Sequence, residues 1–197
     1  MIDFLYQIDK SIVLTINGCH LPWLDELMWF ISSKLFWIFP FFIILSLTYF
    51  KLDLKHWLLF IFSSILLFVL TDQICLHLFK DLVLRERPSY NAEISSQLHL
   101  YYNAEIGELY KGKQFASFVS SHAANYFSLV AFYSWVIDRK WTWDILTLII
   151  IGLVVGLSRI YLGVHYLSDI IGGATIGIML AWLFKRYIYD FFVKKIN

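Results

Sequence analysis

Two histidines, one aspartate and three basic residues stand out in this 197-residue chain because of their types and spacing. They fall in three short segments: Lys80 to Pro88, Ser117 to His122, and Ser158 to Asp169. Lys80, Arg87 and Arg159 would supply three fixed cations, which suit a multiply charged anion such as a phosphate, and arginine can bind two of its oxygens at once. Ser120, Ser121 and His122 open a predicted helix, whose first backbone N–H groups are free for an anion. His165 and Asp169 are four residues apart, so on a helix they share one face. A carboxylate on one imidazole nitrogen fixes the tautomer and leaves the other nitrogen free, which makes His165 a candidate nucleophile. His122 is then a second, separate imidazole for proton transfer. Histidine and carboxylate also suit zinc, but three nearby cations would repel a dication. The pattern describes phosphoryl transfer without a metal or other cofactor.

Up to 89 residues separate these groups, so other elements must bring them together. Composition names those elements. Hydrophobic residues make up 59% of the chain and charged residues only 16%, against about 45–50% and about 25% in soluble domains. That excludes disorder and argues against a soluble enzyme. The net charge of +1 gives no field for nucleic acid. Cys19 and Cys75 do not suggest a disulfide framework. The start of the chain lacks the basic n-region of a signal peptide.

The apolar runs predict an all-α polytopic transmembrane bundle of five spans, with six as the alternative. The spans fall at residues 27–50, 57–79, 116–137, 143–158 and 167–184. Pro40 would kink the first. Residues 1–17 alternate Ile2, Leu5, Ile8, Ile12 and Ile16 with Asp3, Gln7, Lys10 and Ser11, the pattern of an amphipathic helix lying in the interface. Gly152/Gly156 and Gly173/Gly177 are small-xxx-small pairs that let helix backbones approach. Residues 80–116 form the one long polar loop, and the whole of 1–197 is expected to be a single domain.

Five spans bring all three segments to one side. Counting basic residues by side gives a tie. Lys51, Lys55, Arg139, Lys140, Lys185, Arg186, Lys194 and Lys195 oppose Lys10, Lys34, Lys80, Arg85, Arg87, Lys111, Lys113 and Arg159. If Lys80, Arg87 and Arg159 are assigned to a ligand, the first group prevails and faces the cytoplasm. The loop and the three segments then face outward from an inner membrane.

Lys80…Arg87-Pro88, Val119-Ser120-Ser121-His122 and Ser158-Arg159…His165…Asp169 together resemble the signature of the type 2 phosphatidic acid phosphatase superfamily. Val119 and Ser121 stand where that family has proline and glycine, although Ser121 still offers a backbone N–H. The resemblance implies that His165 attacks phosphorus to form a phosphohistidine and that Asp169 orients it. It implies that His122 protonates the leaving oxygen and then activates water. Lys80, Arg87, Ser120 and Arg159 would hold the phosphoryl oxygens.

The expected substrate is a membrane lipid phosphate or pyrophosphate whose tail enters sideways from the bilayer. Undecaprenyl pyrophosphate, phosphatidylglycerol phosphate, phosphatidic acid and lipid A are the alternatives, and loop 89–116 would shape the choice. A lipid phosphotransferase using the same histidine, a haloperoxidase or a non-catalytic lipid-phosphate binder are rival readings. The paired histidines favour an enzyme, and no obligate protein partner is evident. Asp72 and His77 read first as packing groups. His20, His56 and His99 read as interfacial or loop residues, the Trp and Tyr residues as membrane anchors, and Glu93, Glu105 and Glu108 as a solvated loop face.

Overall fold

The computed structural model describes residues 2–33, 35–138 and 142–196. Lys34, Arg139 and Lys140, which entered the charge count, lie outside the described residues. The chain folds as a polytopic helical bundle. Helices α4 (Leu54–Ile74), α7 (Trp143–Tyr161) and α8 (Leu167–Phe184) are long and apolar enough to cross a membrane. Helix α6 (Ser121–Val136) is shorter and occupies the centre, with Ala123 to Val130, Phe132 and Tyr133 buried. That accounts for its lack of a polar face.

Helix α6 packs most closely against α8. A Cβ on Gly177 would overlap the Ala124 carbonyl, and one on Gly173 would press on the Ser120 carbonyl. The expected close approach therefore occurs at this pair. Gly152 and Gly156 instead make room for side chains, those of Tyr126 and Ile170.

Three expected boundaries change. The span at 27–50 is two helices, α2 (Pro22–Ser32) and α3 (Ile38–Tyr49). Pro40 is not the break: it lies in the first turn of α3, where a missing N–H costs nothing. The break falls at Ser33, whose backbone is extended. The third span starts at Ser121 rather than 116, because Ser120 caps the helix by accepting from the Ala123 amide at 3.5 Å. The second begins earlier, at Leu54, where the Asp53 carboxylate accepts from the His56 amide at 3.0 Å. It also runs on through a π-helical turn, Cys75–Lys80, into α5 (Asp81–Val83). Helix α8 likewise continues through Lys185–Tyr189 into α9 (Asp190–Ile196).

Helix α1 (Ile2–Asn17) is amphipathic as expected, but the side it packs inward carries charged groups beside Val13, Ile12 and Ile16. Phe4, Leu5 and Ile8 are exposed, whereas Asp9, Lys10, Val13 and Asn17 are buried against the rest of the chain. Lys10 pairs with Glu93 of the long loop, so Glu93 is not merely solvated. Asn17 donates to the carbonyls of His99 and Tyr161, each at 2.7 Å. The loop is ordered over the bundle. It carries short 3-10 turns at Pro88–Tyr90 and Ser95–Gln97 and an antiparallel pair, β1 (Tyr102–Asn103) with β2 (Glu108–Leu109).

Candidate active site

The ends of α4 and α7 and the starts of α6 and α8 meet beneath this loop. His165 lies in the α7–α8 connection, one residue before the N-cap Tyr166, and is fully buried. It is therefore not on the helix, as a four-residue spacing alone suggests. Asp169 occupies the third position of α8, and its Oδ2 accepts the Tyr166 amide at 2.9 Å. That capping turn brings Asp169 Oδ2 to 3.5 Å from His165 Nδ1, which has no hydrogen-bond partner among the described residues.

Asp169 is saturated by other donors. Arg85 Nη1 donates to Oδ1 at 2.6 Å, and Ser117 Oγ donates to Oδ2 at 2.5 Å. Arg85 Nη2 donates to Asp9 Oδ2 at 2.8 Å, and Asp9 also accepts from the amide and hydroxyl of Ser168. A network from α1 thus ends on the carboxylate beside His165. Sequence reasoning missed Arg85 and Asp9. In the sequence Arg85 bears only on orientation, and nothing local marks Asp9 as a partner of residues 76 and 159 positions away.

The three expected cations are finished differently. Arg87 is buried, donates through Nη2 to the Ala116 carbonyl at 3.2 Å, and has no partner for Nε or Nη1 among the described residues. Gly112, at φ +71°, lies so close to this guanidinium that a Cβ would strike it. Arg159 donates through Nη1 to Ser32 Oγ and through Nη2 to Tyr110 Oη at 3.0 Å, and its Nε is unpartnered among the described residues. Lys80 Nζ donates to Ser121 Oγ at 2.9 Å. Buried donors without partners are costly, and here they belong to neighbouring cations, so the arrangement suits an oxyanion.

Ser120 and Ser121 both lie at the site, and their hydroxyls already accept, from the Ala123 amide and from Lys80. The Ser120 amide donates to the Asp169 carbonyl at 3.1 Å. The amides that the helix start offers an anion are therefore those of Ser121 and His122, which have no intrahelical acceptor. His122 Nε2 donates to the Ser32 carbonyl at 3.2 Å, which leaves Nδ1 as its other proton site. Ser32 thus holds both His122 and Arg159 from the end of α2. Its only sequence signal is a polar pair, Ser32-Ser33, interrupting an apolar run.

The His165 imidazole is held well below the ordinary histidine range, first by burial and then by Arg87, Arg159 and Lys80, against the Ser117 carbonyl. It is neutral near pH 7, the state a nucleophile requires. Burial pushes the Tyr110 phenol up, but Arg159 and Arg87 more than offset this and lower it.

Among the other residues weighed from sequence, His77 is exposed beside Asp81, and His99 pairs with Asp25 at 2.9 Å and stacks on His20. Asp72 accepts from Asn125 Nδ2 at 3.2 Å and lines a cleft that also holds His122.

These features define a class: a multi-pass helical membrane protein with a buried histidine in a cationic pocket at one end. Residues 57–192 match the PAP2 superfamily. The lipid A 4'-phosphatase of Porphyromonas gingivalis is 32% identical over 95% of this chain and 76% of its own length. The lipid A 4'-phosphatase of Bacteroides thetaiotaomicron is 32% identical over 93% of this chain and 78% of its own. The crystal structure of a transmembrane PAP2 type phosphatidylglycerolphosphate phosphatase from Bacillus subtilis superposes with a TM-score of 0.63 at 23% identity, covering 98% of this chain and 88% of that one. The chain belongs to the PAP2 superfamily, as its three motifs suggested.

Proposed function

We propose that this chain is an integral-membrane lipid phosphatase, a single domain that hydrolyses a lipid phosphomonoester or pyrophosphate through a phosphohistidine on His165. The observation that carries the reading is the buried His165 close to Arg87 and Arg159, whose guanidinium groups keep donors unpartnered among the described residues. The two lipid A 4'-phosphatases add support and make lipid A the first substrate to try.

In the first step a His165 ring nitrogen attacks phosphorus and the bond from phosphorus to the leaving oxygen breaks. Lys80, Arg87, Arg159 and the first amides of α6 hold the phosphoryl oxygens. His122, with Nε2–H held by the Ser32 carbonyl, enters this step protonated on Nδ1 and gives that proton to the leaving oxygen. In the second step His122 takes a proton from water, the water oxygen bonds to phosphorus, and the nitrogen–phosphorus bond breaks. Asp169 stabilises the charge that develops on His165, while Arg85, Ser117 and the Tyr166 amide hold it in place. No step uses a metal. The site faces outward from the inner membrane, a placement supported by the basic residues Lys51, Lys55, Lys185 and Arg186 at the opposite ends of the spans.

The test is phosphate release by purified protein in detergent with a chelator. Lipid A, phosphatidylglycerol phosphate, phosphatidic acid and undecaprenyl pyrophosphate form the panel. Release from at least one is expected, with His165→Ala slower by at least about 10⁴-fold. A folded His165→Ala protein that still turned over would sink the mechanism.

A further inference from the structure

His122 donates its proton to the leaving group, so whatever surrounds His122 also surrounds the leaving group. A cleft of about 370 Å³ opens there, lined by Trp37, Phe68, Asp72, Ser121, His122 and Asn125. Asp72 comes from α4, and Asn125 lies three residues beyond His122 on α6, hence on the same face. The Asn125 amide donates to Asp72 Oδ1 at 3.2 Å, which turns its own carbonyl oxygen away from that bond. That Oδ1 has no partner among the described residues, and Asn125 is only 4% exposed. The cleft thus sets one carboxylate beside the proton donor, next to Asn125, whose buried amide oxygen is unpartnered among the described residues. Both are acceptors. Beyond Trp37 and Phe68 the cleft continues into an apolar groove of about 270 Å³ along α3 and α4, which Ile38, Phe41 and Ile65 help to line.

We infer that Asp72 and Asn125 form a leaving-group subsite that accepts hydrogen bonds from a neutral, hydroxyl- or amide-bearing headgroup, so that the enzyme favours phosphorylated glycolipids. This rests on the lipid-phosphatase reading and deepens it. A sugar carrying the scissile phosphate presents several O–H and N–H donors next to the leaving oxygen. Diacylglycerol, the leaving group of phosphatidic acid, presents none besides the new hydroxyl. A polyprenyl pyrophosphate releases a polyprenyl phosphate, and its anionic leaving group meets the Asp72 carboxylate as a like charge. In a site sheltered from water that repulsion is weakly screened. The groove that begins at Trp37 and Phe68 accommodates acyl chains of the same substrate.

The experiment measures kcat/KM by phosphate release for three lipids of matched chain length: a phosphorylated diacylglucosamine, phosphatidic acid and a polyprenyl pyrophosphate. Wild type, Asp72→Asn and Asp72→Leu are compared. Wild type is expected to favour the glycolipid. Asp72→Leu is expected to lower the glycolipid-to-phosphatidic-acid ratio by about tenfold or more, as for loss of a hydrogen bond to a charged group. Asp72→Asn keeps an acceptor of the same shape, so it should retain most of that ratio while raising the relative rate on the pyrophosphate. Ratios cancel any common loss of folded protein. Equal falls on all three substrates would mean a structural role for Asp72 and overturn the subsite, as would ratios that do not move. In both cases wild-type turnover leaves the phosphatase reading standing. Wild type inactive on all three would instead bring down that reading, and the subsite with it.

Discussion

The network around Arg85 and the pocket around Arg87 begin two residues apart and are finished in opposite ways. Arg85 meets two carboxylates, Asp9 and Asp169, at 2.8 and 2.6 Å. Arg87 meets no carboxylate among the described residues and leaves two guanidinium nitrogens unpaired. Both regions border His165. In the first, charge is neutralised inside the protein and fixes geometry. In the second, charge is left over for something else. A buried cation close to other cations and without a counter-ion weakens folding, so its persistence speaks for ligand binding, whereas a saturated one speaks for construction.

Substitution should separate the two regions by what is lost. Arg85→Gln leaves Asp169, at 0% exposure, without its main countercharge. The expected cost is about 3–5 kcal/mol of stability, the usual result of breaking a buried pair from one side. Thermal unfolding in detergent reads it. The double variant Arg85→Gln/Asp169→Asn should recover part of that stability, because no lone charge remains. If the double variant is worse than the sum of the single ones, Arg85 is not there to neutralise Asp169.

Arg87→Leu should behave the other way. Stability holds or rises, since a buried cation beside Arg159 is removed. Turnover falls by about 10²–10³-fold in kcat/KM, the usual loss when a donor to a reacting oxyanion is deleted. An Arg87→Leu protein that unfolds like Arg85→Gln and keeps its activity would erase the distinction.

The same contrast sets a pH dependence. His165 sits below its unfolded value, so the unfolded chain binds a proton more readily, and stability from this group declines as pH falls through about 6.5 and below. Activity follows the neutral ring. Protonation of His165 should not limit kcat/KM between pH 8 and about 6.5, and its acid limb lies lower. Burial is the largest cause of the shift and Arg87 the next. Arg87→Gln should therefore move the limb to higher pH, measured on residual activity. A limb that stays put would mean that burial alone sets the imidazole.

The contrast between the two arginines was only half legible in the sequence. Lys80, Arg87, Ser120, Ser121, His122, Arg159, His165 and Asp169 lie in short motifs, and the apolar runs that carry them are long enough to place span ends near one another. The structure gathers all of these residues beneath the loop. Arg85 and Asp9 escaped because their roles depend on how α1 docks, and α1 docks with Asp9 and Lys10 buried beside Val13. Ser32 escaped for a related reason: the apolar run at 27–50 hides a helix break whose purpose shows only once His122 and Arg159 are seen to share it. Hydrophobic period reports which residues avoid water. It does not report which buried polar groups find each other across 127 residues.

Tyr110 offers the finest division between built and reserved charge, because it divides a single guanidinium. Arg159 gives Nη1 to Ser32 and Nη2 to Tyr110, and keeps Nε unpartnered among the described residues. The phenol comes from the long loop, and its ring packs edge-on against Trp29 at 4.9 Å. Tyr110→Phe keeps that packing and removes only the acceptor. If the hydroxyl competes with a phosphoryl oxygen for Nη2, its loss should tighten inhibition by inorganic phosphate about three- to tenfold, the worth of one modest hydrogen bond. Turnover should then slow by a similar factor, since product that binds more tightly leaves more slowly. If the hydroxyl instead steadies Arg159, inhibition weakens and KM rises together. The inhibition constant for phosphate therefore decides whether Nη2 of Arg159 belongs with Arg85, among the groups the protein has neutralised, or with Arg87, among those held for the substrate.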